Sequence, residues 1–203
     1  MKKYLKLALA AILVVAIIMI MVFIKNGNIV GFDDSIYKIV TTKTNNFLDE
    51  MFKVFTFFGS TVFIVGVCLI ILMFMKNKKK AGIIAGAVII STIINNIIKF
   101  AFQRERPVVR RLVEENTSSF PSGHTMAAVT LYGILIFFVM KSNFKKVTKI
   151  ILSVILGLLP VCVAVSRIYV GAHFASDVIG AAMVSSALLL IETVIIEKYY
   201  DKI

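Results

Sequence analysis

Both histidines of this 203-residue chain, His124 and His173, fall within short polar segments of an otherwise apolar sequence. Three such segments stand out: Lys99 with Arg106-Pro107, Pro121-Ser122-Gly123-His124, and Ser166-Arg167 with His173 and Asp177. Together they offer three cations, an imidazole pair and a carboxylate. Phosphoryl transfer calls for such a set, because its transition state spreads charge over three equatorial oxygens and needs an in-line nucleophile and an acid.

The spacings assign provisional places to these groups. Lys99 and Arg106 are seven residues apart, two helical turns, which predicts both on one face of a helix. Ser122, Gly123 and His124 are expected at the start of the next helix, where unpaired N–H groups and the helix dipole favour an anion and glycine permits close approach. His173 and Asp177, four apart, share a face if a helical turn continues. The carboxylate then holds one imidazole nitrogen and leaves the other free to attack. Imidazoles with ordinary pKa values near ~6.5 supply both a neutral and a charged form around physiological pH. Arg104, Arg110 and Arg111 lie beside the motifs and are expected either to favour a diphosphate or anionic headgroup, or to rest at the surface near lipid phosphates.

The elements that must carry these groups are membrane helices. At 59% hydrophobic residues and a mean hydropathy of +0.93, the chain is more apolar than the roughly 45–50% of soluble domains. Six apolar stretches, about 5–24, 54–75, 81–102, 122–140, 147–165 and 176–196, approach the ~20 residues a helix needs to cross the hydrocarbon. The expectation is an all-α, polytopic six-helix bundle forming one domain over 1–203. The first stretch reads as a retained anchor, since its apolar run exceeds the usual ~7–15 residues of a signal-peptide core. Between it and the second stretch, residues 25–53 alternate apolar residues such as Ile36, Val40, Leu48 and Phe52 with Asp33, Asp34, Asp49 and Glu50, which predicts an interfacial helix.

The net charge of +12 arises mainly from lysines at 2, 3 and 6, at 76, 78, 79 and 80, at 141, 145, 146 and 149, and at 198 and 202. In a six-span arrangement these fall on one side, which argues against nucleic acid as the partner. The positive-inside rule makes that side, with both termini, cytoplasmic and puts the motifs outside. Glu192 and Glu197 are expected to pair with the inner lysines. Cys68 and Cys162 each sit within a span as packing residues, and no metal-ligand set is apparent.

Written as Lys-x6-Arg-Pro, Pro-Ser-Gly-His and Ser-Arg-x5-His-x3-Asp, in that order, the motifs resemble those of the type-2 phosphatidic-acid phosphatase superfamily, whose phosphate pocket is shared with vanadium haloperoxidases. Chain length and the Pro-Ser-Gly-His form resemble bacterial members of the phosphatidylglycerophosphate phosphatase B type, which also act on polyprenyl diphosphates. The resemblance implies a metal-independent lipid phosphatase of the plasma membrane. In it His173 attacks phosphorus to give a phosphohistidine, and His124 protonates the leaving oxygen. Lys99, Arg106, Ser122, Gly123 and Arg167 hold the non-bridging oxygens, and Asp177 orients His173. Phosphatidylglycerophosphate and undecaprenyl diphosphate are the substrates it implies; no cofactor and no obligate protein partner are expected. A carrier or channel for anionic lipid or phosphate is the alternative, since cations inside a helical bundle also mark ion paths; a vanadate-dependent oxidase is the weaker third, such enzymes being mostly soluble.

Overall fold

The computed structural model describes residues 2–199, and among them every regular element is a helix: α1 (Lys2–Lys25), α2 (Val30–Val40), α3 (Asn46–Phe57), α4 (Thr61–Phe74), α5 (Lys78–Phe102), α6 (Gly123–Lys141), α7 (Lys146–Tyr169) and α8 (Ala175–Tyr199). Lys202 and the side chain of Lys2, counted above among the basic clusters, lie outside what is described. α1, α5, α6, α7 and α8 are each long and apolar enough to cross a membrane. The sixth crossing has another form. α4 has 14 residues, about 21 Å at 1.5 Å per residue, which falls short of a ~30 Å hydrocarbon core. It completes a span only together with α3, from which it is bent by 44°.

The bend has a local cause. Phe58-Gly59-Ser60 interrupts the helix, and Ser60 caps α4 by accepting from the Phe63 N–H at 3.2 Å. Gly59 passes so close to α6 and α7 that a Cβ there would lie 2.6 Å from a Val163 methyl and 2.9 Å from the His124 carbonyl. The apolar stretch read at 54–75 is therefore a broken span rather than a straight one.

Residues 25–53 also differ from expectation. They form not one helix but two separate elements, α2 and the first part of α3, and their acids divide: Asp34 and Glu50 are exposed. Asp33 and Asp49 are buried. Ile36, Tyr37 and Val40 of α2 pack against Ile168, Ala175 and Val178, so α2 is seated on α7 and α8.

The main core lies at the end of the bundle remote from the motifs, where Ile64 and Cys68 of α4 meet Ile84, Ala87 and Val88 of α5, Leu131 and Ile134 of α6 and Ile196 of α8. Ile17 of α1 joins Met126, Ala181 and Val184. At that end Glu197 binds Lys6 at 2.9 Å and Lys141 at 3.5 Å, which places three of the four basic clusters together. Glu192 behaves differently from expectation: both its carboxylate oxygens are buried without a hydrogen-bond partner among the described residues, in a groove lined by Ile83, Ala87, Ile90 and Ile195. The reason is rotational. Glu192 faces α5 instead of the helix end where the lysines gather.

Candidate active site

Each motif reaches the site from a helix end. Lys99 sits in the last turn of α5, and Gln103 then adopts a left-handed conformation (φ 47°) that ends the helix. Arg106 is thus beyond the helix, and the shared helical face read from the spacing does not exist. The two cations still line one cavity, because the non-helical segment after Gln103 turns Arg106 back over the bundle.

The second motif opens α6 as expected. Ser122 is its N-cap, accepting from the Thr125 N–H at 3.4 Å and the Thr125 hydroxyl at 3.0 Å. Pro121 lies ahead of the cap, in a cis peptide with Phe120. Asn95 of α5 donates to the Pro121 carbonyl at 3.2 Å, and its Oδ1 approaches Gly123 so closely that a Cβ there would stand 3.3 Å away. Gly123 and His124 line the cavity, whereas the Ser122 side chain is fully buried and directed to its cap.

The third motif spans the α7–α8 junction. Arg167, in the last turn of α7, is buried; its Nη1 donates to the Thr56 hydroxyl of α3 at 2.7 Å and its Nη2 to Glu115, while its Nε has no partner among the described residues. After α7 the chain turns at Gly171 (φ 71°), where a Cβ would stand 2.2 Å from the Arg110 carbonyl, so only glycine fits. His173 follows and α8 begins at Ala175. Asp177 takes on a second task besides the one expected of it. Its Oδ2 accepts from the Phe174 N–H at 2.9 Å, the reach-back half of a capping box, and lies 3.6 Å from His173 Nδ1. The Ser119 hydroxyl also donates to Oδ2 and stands 3.5 Å from the same imidazole nitrogen.

The far nitrogen of His173, Nε2, faces Arg106 Nη1 at 3.3 Å. A guanidinium can only donate, so Nε2 carries a lone pair and the proton sits on Nδ1 toward Asp177 and Ser119. Burial pushes the His173 imidazole down to about 4, with the Asp177 hydrogen bond pulling the other way. At physiological pH this histidine is therefore neutral, rather than the mixture that an ordinary value would give.

Lys99, Arg106, Gly123, His124 and His173 share a cavity of about 310 Å³. Lys99 Nζ is held by the Thr117 hydroxyl and the Ser118 carbonyl, and Arg106 Nε donates to the Thr117 carbonyl at 2.7 Å. These bonds tie the 103–122 connection across the site. A carboxylate that the motifs do not contain joins them: Glu115 binds Arg167 and lies 3.6 Å from Arg106 and 3.8 Å from His124 Nδ1. Burial alone would raise the Glu115 carboxyl, but Arg167, His124 and Arg106 outweigh it and hold it below its usual range.

The neighbouring arginines are structural. Arg104 bridges Asp33 at 2.8 Å and Asp177 at 2.6 Å, with its guanidinium 4.1 Å from the centre of the Phe174 ring. Arg110 grips Asp49 through both nitrogens, at 2.5 and 3.1 Å, and Tyr169 donates to the same carboxylate at 2.8 Å. Arg111 Nη2 donates to the Pro107 carbonyl at 2.7 Å. Arg104 and Arg110 are therefore spent on internal acids, and neither outcome expected of the trio from sequence describes them.

An all-helical membrane bundle that gathers these groups at one rim matches known proteins at every level compared. The PAP2 superfamily profile matches residues 80–201. Phosphatidylglycerophosphatase B of Bacillus subtilis (strain 168) is 32% identical over 152 residues, covering 73% of this chain and 75% of that protein. The crystal structure of a transmembrane PAP2-type phosphatidylglycerolphosphate phosphatase from Bacillus subtilis superposes with a TM-score of 0.86 at 26% identity, covering 93% of this chain and 96% of that one. Aquifex aeolicus LpxE shares the fold, with a TM-score of 0.65 at 24% identity over 78% of this chain and 93% of that one. The chain belongs to the PAP2 superfamily. It is a multi-pass membrane phosphatase.

Proposed function

We propose that this enzyme removes the terminal phosphate of phosphatidylglycerophosphate through a phosphohistidine on His173, as a single domain whose active site opens on the extracytoplasmic face. The observation that carries the reading is the fixed tautomer of His173: Nδ1 directed to Asp177 and Nε2 presented, with its lone pair, to a cavity rimmed by Lys99, Arg106 and His124. The 32% identity to a phosphatidylglycerophosphatase B supports the choice of substrate.

In the first step Nε2 of His173 forms a bond to phosphorus as the bond to the leaving oxygen breaks, and protonated His124 gives its proton to that oxygen. In the second, water attacks the phosphohistidine while His124 takes up its proton, and phosphate departs. Lys99, Arg106, Arg167 and the Gly123 N–H at the start of α6 stabilise the non-bridging oxygens; Ser122 positions that N–H. Each such donor is worth on the order of 10²–10³ in rate. These groups supply the neutralising charge without a metal. The basic clusters at the opposite end of the bundle favour the cytoplasm by the positive-inside rule, which turns the cavity outward.

The test is phosphate release from phosphatidylglycerophosphate, undecaprenyl diphosphate and phosphatidate in detergent, with chelator present. Phosphatidylglycerophosphate is expected to turn over fastest, chelator to change nothing, and His173→Asn to abolish release. Undiminished release by the His173→Asn variant overturns the nucleophile assignment; faster release from undecaprenyl diphosphate reassigns the substrate.

A further inference from the structure

The cavity assigned to phosphate already contains a negative charge of the protein's own. Glu115 belongs to none of the three motifs, yet one oxygen is bound by Arg167 and lies 3.8 Å from His124 Nδ1, and the other lies 3.6 Å from Arg106. Lys99 and His173 stand on the same cavity wall. Two oxygens shared between two guanidiniums reproduce what a bound phosphate presents with two of its non-bridging oxygens. The other carboxylate nearby, Asp177, does not compete for that place, because Arg104, Ser119 and the Phe174 N–H hold it.

We infer that Glu115 is the resident counter-ion of the phosphate seat and that it makes the seat discriminate by charge, admitting dianionic phosphomonoesters and refusing the monoanionic phosphodiesters of surrounding phospholipids. The inference rests on the cavity being the phosphate seat. A phosphodiester brings one negative charge, so exchanging it for the Glu115 carboxylate gains no net attraction. A phosphomonoester carries roughly −1.5 to −2 near pH 7 and a third terminal oxygen, so its exchange is favourable. The two guanidiniums keep their places when Glu115 leaves. Arg167 stays anchored by Thr56 at 2.7 Å, and Arg106 by the Ala172 carbonyl at 2.8 Å and the Thr117 carbonyl at 2.7 Å. The buried, unpartnered Arg167 Nε–H is a donor that Glu115 leaves unused.

Glu115→Gln keeps the shape and removes the charge. Equilibrium binding of inorganic phosphate and competitive inhibition by phosphatidylglycerol, a phosphodiester monoanion, are measured on the full chain in detergent for wild type, Glu115→Gln and Glu115→Asp. In the Gln variant inhibition by phosphatidylglycerol is expected to strengthen by on the order of tenfold or more, and phosphate to bind more tightly, because a like charge has left the seat. The Asp variant, whose shorter side chain loosens the grip on the arginines, is expected to shift in the same direction by less, and it decides the matter if the Gln variant does not fold. Unchanged inhibition overturns the inference, as does weaker binding of both ligands, which would make Glu115 a mere brace for the arginines. If wild type and variants alike bind no phosphate, the seat assignment itself falls; if all bind it equally, only the role of Glu115 does.

Discussion

The two imidazoles of the site are held in opposite ways. His173 follows a glycine turn fitted against the Arg110 carbonyl, is almost wholly buried, and has Asp177 and Ser119 on one nitrogen and Arg106 on the other. Its carboxylate is itself fixed by Arg104, Ser119 and a backbone N–H. His124 sits partly open in the first turn of α6, and its nearest carboxylate, Glu115, comes from the connection 103–122 at 3.8 Å and is shared with two arginines. A nucleophile gains from being aimed before substrate arrives, since orientation paid for in folding is not paid again at the barrier. In the proposed mechanism the proton donor is the imidazole with the looser hold.

The contrast is broken first by unsettling the fixed side. Asp177→Asn keeps an acceptor for the Phe174 N–H but removes the charge facing Nδ1. Phosphate release is expected to fall by on the order of 10²–10⁴, with kcat lowered far more than KM is raised. An equal loss in both would move Asp177 from orienting the nucleophile to binding substrate. Next in size is Arg104→Met, which strips the cation from two buried carboxylates at once. Breaking a buried pair costs about 3–5 kcal/mol, so the melting temperature in detergent should drop sharply while KM of the surviving enzyme stays close to wild type. A large rise in KM with unchanged melting would return Arg104 to the headgroup role.

The smallest effect is the most specific. Folded His173 takes up its proton near 4 and the unfolded chain near 6.5. Between those values the unfolded state binds more protons, so stability conferred by the neutral imidazole is complete above about 6.5 and is lost as pH falls toward 4. Followed directly by NMR, the His173 imidazole should likewise titrate near 4 instead of near 6.5, and Asp177→Asn should move it lower still. A wild-type His173 titration near 6.5 would show that the imidazole is not desolvated as described.

The three motifs were legible because ionisable residues are costly in a membrane span and so few compete for attention. Five of the six crossings were legible for the same reason, through their apolar length. The sixth was not, because the break at Gly59-Ser60 depends on how closely that segment approaches Val163 and His124, which no local pattern records. Arg106 was placed in the right cavity by the wrong geometry: a helical face was read where the chain in fact leaves the helix at Gln103. Glu115, Asp33 and Asp49 gave no sign of which cations they meet. Their partners Arg167, Arg104 and Arg110 are distant in sequence, and a lone acid in a polar connection looks the same whether it faces water or a buried guanidinium. For Glu115 the nearest available hint was the surplus of arginines around it, which a low-dielectric rim cannot leave uncompensated.

The Arg104 bridge ties Asp33, which lies outside the matched superfamily profile, to Asp177 in the final crossing. One guanidinium thus serves two elements far apart in sequence, seating α2 on the bundle and fixing the carboxylate that faces His173. A disturbance of α2 is therefore passed to the imidazole through a single side chain.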